Sequence, residues 1–261
     1  MANLRHKDSV NASGTNHAAG RYEKLRAWTA GLCGLFCAGS FILFFASKDY
    51  PRALLAAVTL LLVCTPGLIE RFASCRISTP LYLFAIAYAL GSLLGDGYKL
   101  YHLTSWWDKL MHTSAGVLFA IIGAVLPTFL NKGRQCSIAV RAVFAVCFSL
   151  AISAVWEFFE FGMDRLFGMD MQRDTLITTL NSYFLGDGFA TIGSIKNIES
   201  VAINGQPILG YSDIGLIDTM LDMLLETLGA CLYTLVFIFD KDAHPICVFR
   251  HGPGNKELPQ K

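Results

Sequence analysis

Charge is scarce in this sequence. Only 16% of its 261 residues are Asp, Glu, Lys or Arg, too few to coat a water-soluble globule of that size. Neither sign dominates, and a net charge of +1 argues against nucleic acid as a partner. Familiar catalytic signatures are missing too. There is no Walker-type phosphate loop, no HExxH zinc helix and no GxSxG nucleophile elbow. No inverted internal repeat is visible, so the common transporter organisation has no support.

What is present is apolar length. Hydrophobic residues make up 54% of the chain and mean hydropathy is +0.47. Six runs approach the roughly 20 residues that cross a bilayer core. They are Trp28–Ala46, Arg52–Ile69, Pro80–Leu94, Leu110–Leu130, Ile138–Phe161 and Ile214–Phe239, the third being the shortest. The expected fold is an all-α integral membrane protein with about six transmembrane helices in one domain, residues 27–240. Residues 1–26, rich in Asn, Ser, Gly and Ala, read as a disordered leader. The first run follows this leader without a small-residue cleavage site, so it does not read as a signal peptide. Residues 241–261 form a tail.

Lys and Arg orient the chain. With the N-terminus inside, 14 of the 21 basic residues fall on the cytoplasmic side and 7 outside, which places both termini in the cytoplasm. The eight cysteines agree. All lie within spans or on the predicted cytoplasmic side, so no external disulfide is expected.

One connection, 164–213, is too long for a passive turn. Gly186-Asp187-Gly188 and Asn204-Gly205 are turn signals. A hairpin is expected between them in Phe189–Val201, and a short interfacial helix over Asp174–Tyr183. On the outer side this loop would act as a lid.

Ionisable residues inside spans usually face protein or a watery cavity. Asp108 and His112 open the fourth span, four residues apart. Glu157, Glu160 and Asp164 close the fifth, and Asp218, Asp222 and Glu226 open the sixth. The direction of each helix brings all three groups to one leaflet, the outer one in this orientation. Acids so close together need a positive partner, and a divalent cation is one. Asp108, His112, Glu157, Asp218 and Asp222 are the expected ligands, in the manner of metal sites in helical bundles. An oxygen-rich set suits Mg²⁺, Mn²⁺ or Ca²⁺, with Zn²⁺ as a further option. Glu160 is the candidate general base for a metal-bound water. The plainer alternative is that helix-end acids only satisfy solvation, and it applies most to Glu160, Asp164, Glu226, Asp96 and His102. Trp106, Trp107, Tyr98 and Tyr101 read as an interfacial aromatic belt.

Four motifs, in order, resemble a family of uncharacterised bacterial inner-membrane proteins. They are Trp107-Asp108-Lys109-Leu110-Met111-His112, Ser153 through Glu160, Met171 through Thr175, and Gly210 through Asp222. That family is similar to the VanZ-like group, which shares an Asp-Lys-x-x-His element and a late acidic helix. The branch with a long loop before the last helix, found in Firmicutes, is most similar. The resemblance implies a multi-pass protein of the bacterial cytoplasmic membrane, and it adds Asp174 and Asp213 as secondary site residues. Here Glu157-Phe158-Phe159-Glu160 stands where VanZ-like proteins carry Glu-x-x-Gln.

Three functions fit these observations. The first is a site, metal-dependent in this reading, that acts on an envelope lipid or lipid-linked phosphate, with membrane lipid as partner. The second is a cation or proton transporter. The third is a non-catalytic envelope sensor or assembly protein.

Overall fold

The computed structural model describes the backbone of residues 2–72, 75–131, 133–239 and 247–249, and the side chains of 20–72, 76–131 and 133–239. Long helices dominate because apolar runs without strand alternation can satisfy every backbone group internally. They are α1 (Ala2–Ala46), α2 (Tyr50–Phe72), α3 (Thr79–Ser92), α5 (Trp106–Leu130), α6 (Ile138–Phe167) and α7 (Leu216–Phe239), with a one-turn α4 (Leu100–Leu103). Among the described residues six helices are long and apolar enough to cross a membrane. The third span is longer than its apolar run suggests. It continues from α3 through a π-turn, Leu93–Gly97, to give Thr79–Gly97.

α1 runs unbroken from Ala2 to Ala46, through the residues expected as a disordered leader, 1–26. Arg26 ties this helix to the bundle. It is 7% exposed and pairs with Glu70 of α2 at 2.6 Å. Its guanidinium lies 4.0 Å from the Tyr82 ring centroid. Glu70 also accepts the Ile77 backbone N–H at 2.7 Å. One end of the bundle thus gathers the start of the first span and the α2–α3 connection. Strand β1 (Cys75–Ile77) in that connection pairs antiparallel with β8 (Cys247–Phe249), so the chain's last described segment lies at the same end. The rest of the expected tail, 241–246 and 250–261, lies outside the described residues.

Two three-helix groups make up the molecule. Cys37, Ala56, Val63, Tyr82, Ile86, Ala89 and Leu93 hold α1, α2 and α3 together. Ala120, Ala124, Ala145 and Ala230 sit between α5, α6 and α7. Small residues let helix backbones meet where lipid offers no hydrophobic drive to association. A Cβ at Gly116 would collide with the Glu226 carbonyl, and one at Gly229 with the Thr113 carbonyl, so α5 and α7 touch backbone to backbone. Trp107 Nε1 joins the groups by donating to the Gly91 carbonyl at 3.1 Å. The Tyr88 and Phe119 rings meet edge-on, 6.4 Å apart.

The long connection after α6 is built of strands. Asp174–Tyr183, expected as a helix, instead holds β2 (Leu176–Ile177) and β3 (Thr179–Ser182). The β-branched run Thr175, Ile177, Thr178, Thr179 prefers a pleated backbone. The hairpin expected within Phe189–Val201 is also different. β4 (Gly193–Lys196) pairs with β3, and β5 (Ser200–Ile203) pairs with β6 (Gln206–Leu209). The two turn signals close these hairpins rather than flank one. Asn204 and Gly205, at φ 51° and 83°, make the tight turn between β5 and β6. β2 pairs with β7 (Tyr211–Ser212), so the loop leaves and returns through one stem.

Candidate metal centre

The stem of this loop is fastened by carboxylates. Asp164, one turn before the end of α6, accepts the N–H groups of Met171 at 2.6 Å and Gln172 at 2.9 Å. Asp213 accepts from Thr175 at 2.7 Å and from Ile217 at 2.6 Å, which caps α7. Desolvation pushes the Asp213 carboxyl up, but the backbone N–H groups of Ile217, Thr175 and Gly215 outweigh it and hold the group below its ordinary range. Asp174 accepts from the Ser212 hydroxyl at 2.6 Å. Asp218 accepts the Arg173 N–H at 3.0 Å. These four aspartates set the register of residues 171–175 on the helix ends.

Beneath the stem, α5 and α7 bring Asp108, His112 and Asp222 together. One donor atom from each lies within 4.8 Å of the others. His112 Nε2 is 3.3 Å from Asp222 Oδ2 and 3.9 Å from Asp108 Oδ1. Bonds of about 2.1 Å at tetrahedral or octahedral angles separate donors by roughly 3.0–3.5 Å, so the group is close to binding geometry. Asp108 and His112 share a face because they are four apart on α5, and Asp222 meets them through the close α5–α7 crossing.

Glu157 of α6 lies beside this group and is 4% exposed. No cationic side chain pairs with it among the described residues. Thr219 and Gln172 face it as neutral donors, and Gln172 Nε2 donates to Thr219 Oγ1 at 2.6 Å, which leaves the Thr219 proton free to turn to Glu157. A buried carboxylate without a positive partner is costly and calls for a proton or a cation. Glu157 and Glu160 both interact electrostatically with Asp222, as do Asp108 and Asp218. Glu160, also buried, accepts from Trp156 Nε1 at 2.8 Å.

The structure therefore brings Asp108, His112 and Asp222 within coordinating distance of one another. Glu157 and Glu160 are adjacent to them. Asp218 is nearby with one oxygen turned to the loop backbone, and Asp174 and Asp213 belong to the stem. Asp96, in the π-turn, and His102, in α4, make no ion pair among the described residues. Two neighbours were not expected. Arg173 Nη1 lies 3.7 Å from Asp108 Oδ2 and its guanidinium covers the Tyr101 ring at 5.0 Å. Burial pushes the Tyr101 hydroxyl well up, helped by the Asp108 charge and opposed by Arg173. Tyr101, in α4, thus packs against the site. Arg173 could not be singled out, since its reach depends on the loop's fold.

With this geometry established, the comparisons place the chain. Residues 29–243 match the family described as predicted membrane protein (DUF2238). The match covers most of the sequence, and the chain belongs to that family. No curated protein matches it, and no solved structure does.

Proposed function

We propose that this DUF2238 protein carries a divalent-metal site within one leaflet of the membrane, formed by Asp108, His112 and Asp222, with Glu157 as a further oxygen. Its support is one observation: three converging donors beside a buried carboxylate that no cationic side chain reaches among the described residues. The mixed oxygen and nitrogen set suits Mn²⁺ or Zn²⁺ better than Ca²⁺, which prefers six to eight oxygens.

We further propose that the site acts on the phosphate ester of a membrane lipid or lipid-linked envelope precursor. A bound divalent ion would supply Lewis acidity toward a phosphoryl oxygen. Glu160, held by Trp156, would take a proton from the water as it attacks phosphorus, and would return it to the lipid alkoxide as the ester P–O bond breaks. Arg173 and Tyr101 would orient an anionic headgroup, and the hairpin loop would exclude bulk water. The likeness to VanZ-like proteins favours the bacterial cytoplasmic membrane. With both termini inside, the site would serve the outer leaflet.

Metal analysis of purified wild type beside Asp222→Ala tests the first part. Near-stoichiometric metal in the wild type and loss in the variant are expected. Equal and negligible metal in both would sink the proposal. Phosphate release from lipid phosphates in vesicles, absent in Glu160→Gln, tests the second.

A further inference from the structure

We propose that Glu226, with Ser149 and Ser153, forms a binding site for one exchangeable proton in the middle of the membrane, separate from the Asp108–His112–Asp222 group. Depth is the first observation. Glu226 lies ten residues past Leu216 in a helix of 24. At 1.5 Å per residue that is about 15 Å, half the thickness of a hydrocarbon core of about 30 Å. Gly116 lies ten residues into α5, a helix of 25, and so stands at a similar depth.

No base is there to hold a negative charge. Glu226 is 3% exposed, and among the described residues no ion pair reaches it. Its titratable neighbours are Glu157 on α6 and Tyr88 on α3. α5 presents a backbone carbonyl, and His112, one turn nearer the rim, pairs with Asp222. An uncompensated carboxylate at mid-membrane is strongly disfavoured.

Hydrogen-bond counting points to a proton as the compensation. The Ser149 hydroxyl lies 3.3 Å from the Gly116 carbonyl and 3.4 Å from Glu226 Oε1. It has one proton and two acceptors. With Glu226 protonated, the carboxyl O–H donates to Ser149 Oγ, and the Ser149 O–H donates to the Gly116 carbonyl. Each of these two donors then has its own acceptor.

Ser153 is the independent observation. It is 1% exposed, its hydroxyl bonds to no group but this one, and it faces the same carboxyl group. It offers the proton a second acceptor, so the proton has two positions on Glu226. On release the Glu226 O–H bond breaks, its electron pair stays on the carboxylate, and the proton passes to water. No oxidant or reductant takes part.

Infrared difference spectroscopy of the full-length protein in lipid vesicles, across pH and in H₂O and D₂O, tests this site. The expected signal is a protonated-carboxyl C=O band that is lost in Glu226→Gln and moves in D₂O. Ser149→Ala, which keeps the carboxyl group, should shift the band to higher frequency. Sodium and Asp222→Asn should leave it in place. A Glu226 that stays ionised at every pH, a band that never exchanges into D₂O, or a band removed by sodium would each overturn the proposal. Metal binding is read separately, so failure of the metal site leaves this result untouched.

Discussion

Asp222→Asn tests what balances the three-residue group. Donor atoms of Asp108, His112 and Asp222 lie within 4.8 Å of one another. Two full negative charges at that separation repel by about 3–4 kcal/mol at an effective dielectric of about 20. Arg173, 3.7 Å from Asp108, offsets part of this, so the figure is an upper bound. A neutral His112 offsets none of it. A divalent cation removes the repulsion and adds attraction to both carboxylates. The metal-free protein should therefore be stabilised by Asp222→Asn, while metal affinity falls by about 100-fold or more, since even outer-shell partners of a metal are worth about 10–100-fold.

Thermal unfolding followed by tryptophan fluorescence in detergent reads both effects. Metal at 100 times its Kd stabilises by about 2.7 kcal/mol. For a chain of this size that moves the midpoint by roughly 5–10 °C. Wild type should show the shift with Mn²⁺ or Zn²⁺ over a chelator control. Asp222→Asn should start from a higher midpoint and show no shift. A metal response of equal size in the variant would refute the ligand assignment. A lower midpoint in the metal-free variant would mean that a protonated His112 balances Asp222 and that no cation is needed.

Four further outcomes follow. Asp213 has a depressed folded-state pKa, so its contribution is present above its unfolded value, about 3.9, and is lost as pH falls through the folded value; protection of the Thr175 and Ile217 amides, relative to their intrinsic exchange rates, should fall there and stay constant above it. Gly229→Leu should force α5 and α7 apart, at about 3 kcal/mol or more, and lower the yield of folded protein, whereas an exposed change such as Leu228→Ala should not. Glu160→Gln should reduce any phosphatase rate by about 10²–10⁴-fold with lipid binding retained, and Trp156→Phe should have a smaller effect. In a background free of native cysteines, Ser194→Cys in β4 should react with an impermeant maleimide in intact cells while Ser137→Cys at the start of α6 should not; the reverse pattern would invert the proposed orientation.

The spans were legible because length and apolarity are local properties. The convergence of Asp108, His112 and Asp222 was legible too, because helix direction and i, i+4 spacing fix which end and which face a residue occupies. Strand pairing in the loop was not, since β3 reaches β4 across a ten-residue gap that no periodicity marks. Nor was the double service of Asp218, whose acidic helix position reads as a ligand while its Oδ2 holds the Arg173 backbone. Glu226 was read as a rim acid because it continues the 218, 222 spacing. It lies ten residues into α7, and only the packing of Ser149 and Gly116 shows what it meets there.

Loop and site are one unit in this fold. Asp164, Asp213 and Asp218 use their oxygens on the backbone of residues 171–175 and the start of α7, and those bonds place Arg173. Arg173 then lies against Asp108, the residue that shares His112 with Asp222. Undocking the stem would remove Arg173 from a group of acids and leave Asp108 with His112 or a bound cation for balance. Cation affinity should therefore rise as the stem loosens and fall as it docks. A substrate phosphate that drew Arg173 to itself would have the same effect on Asp108 as undocking, tightening the hold on the cation when the anion arrives.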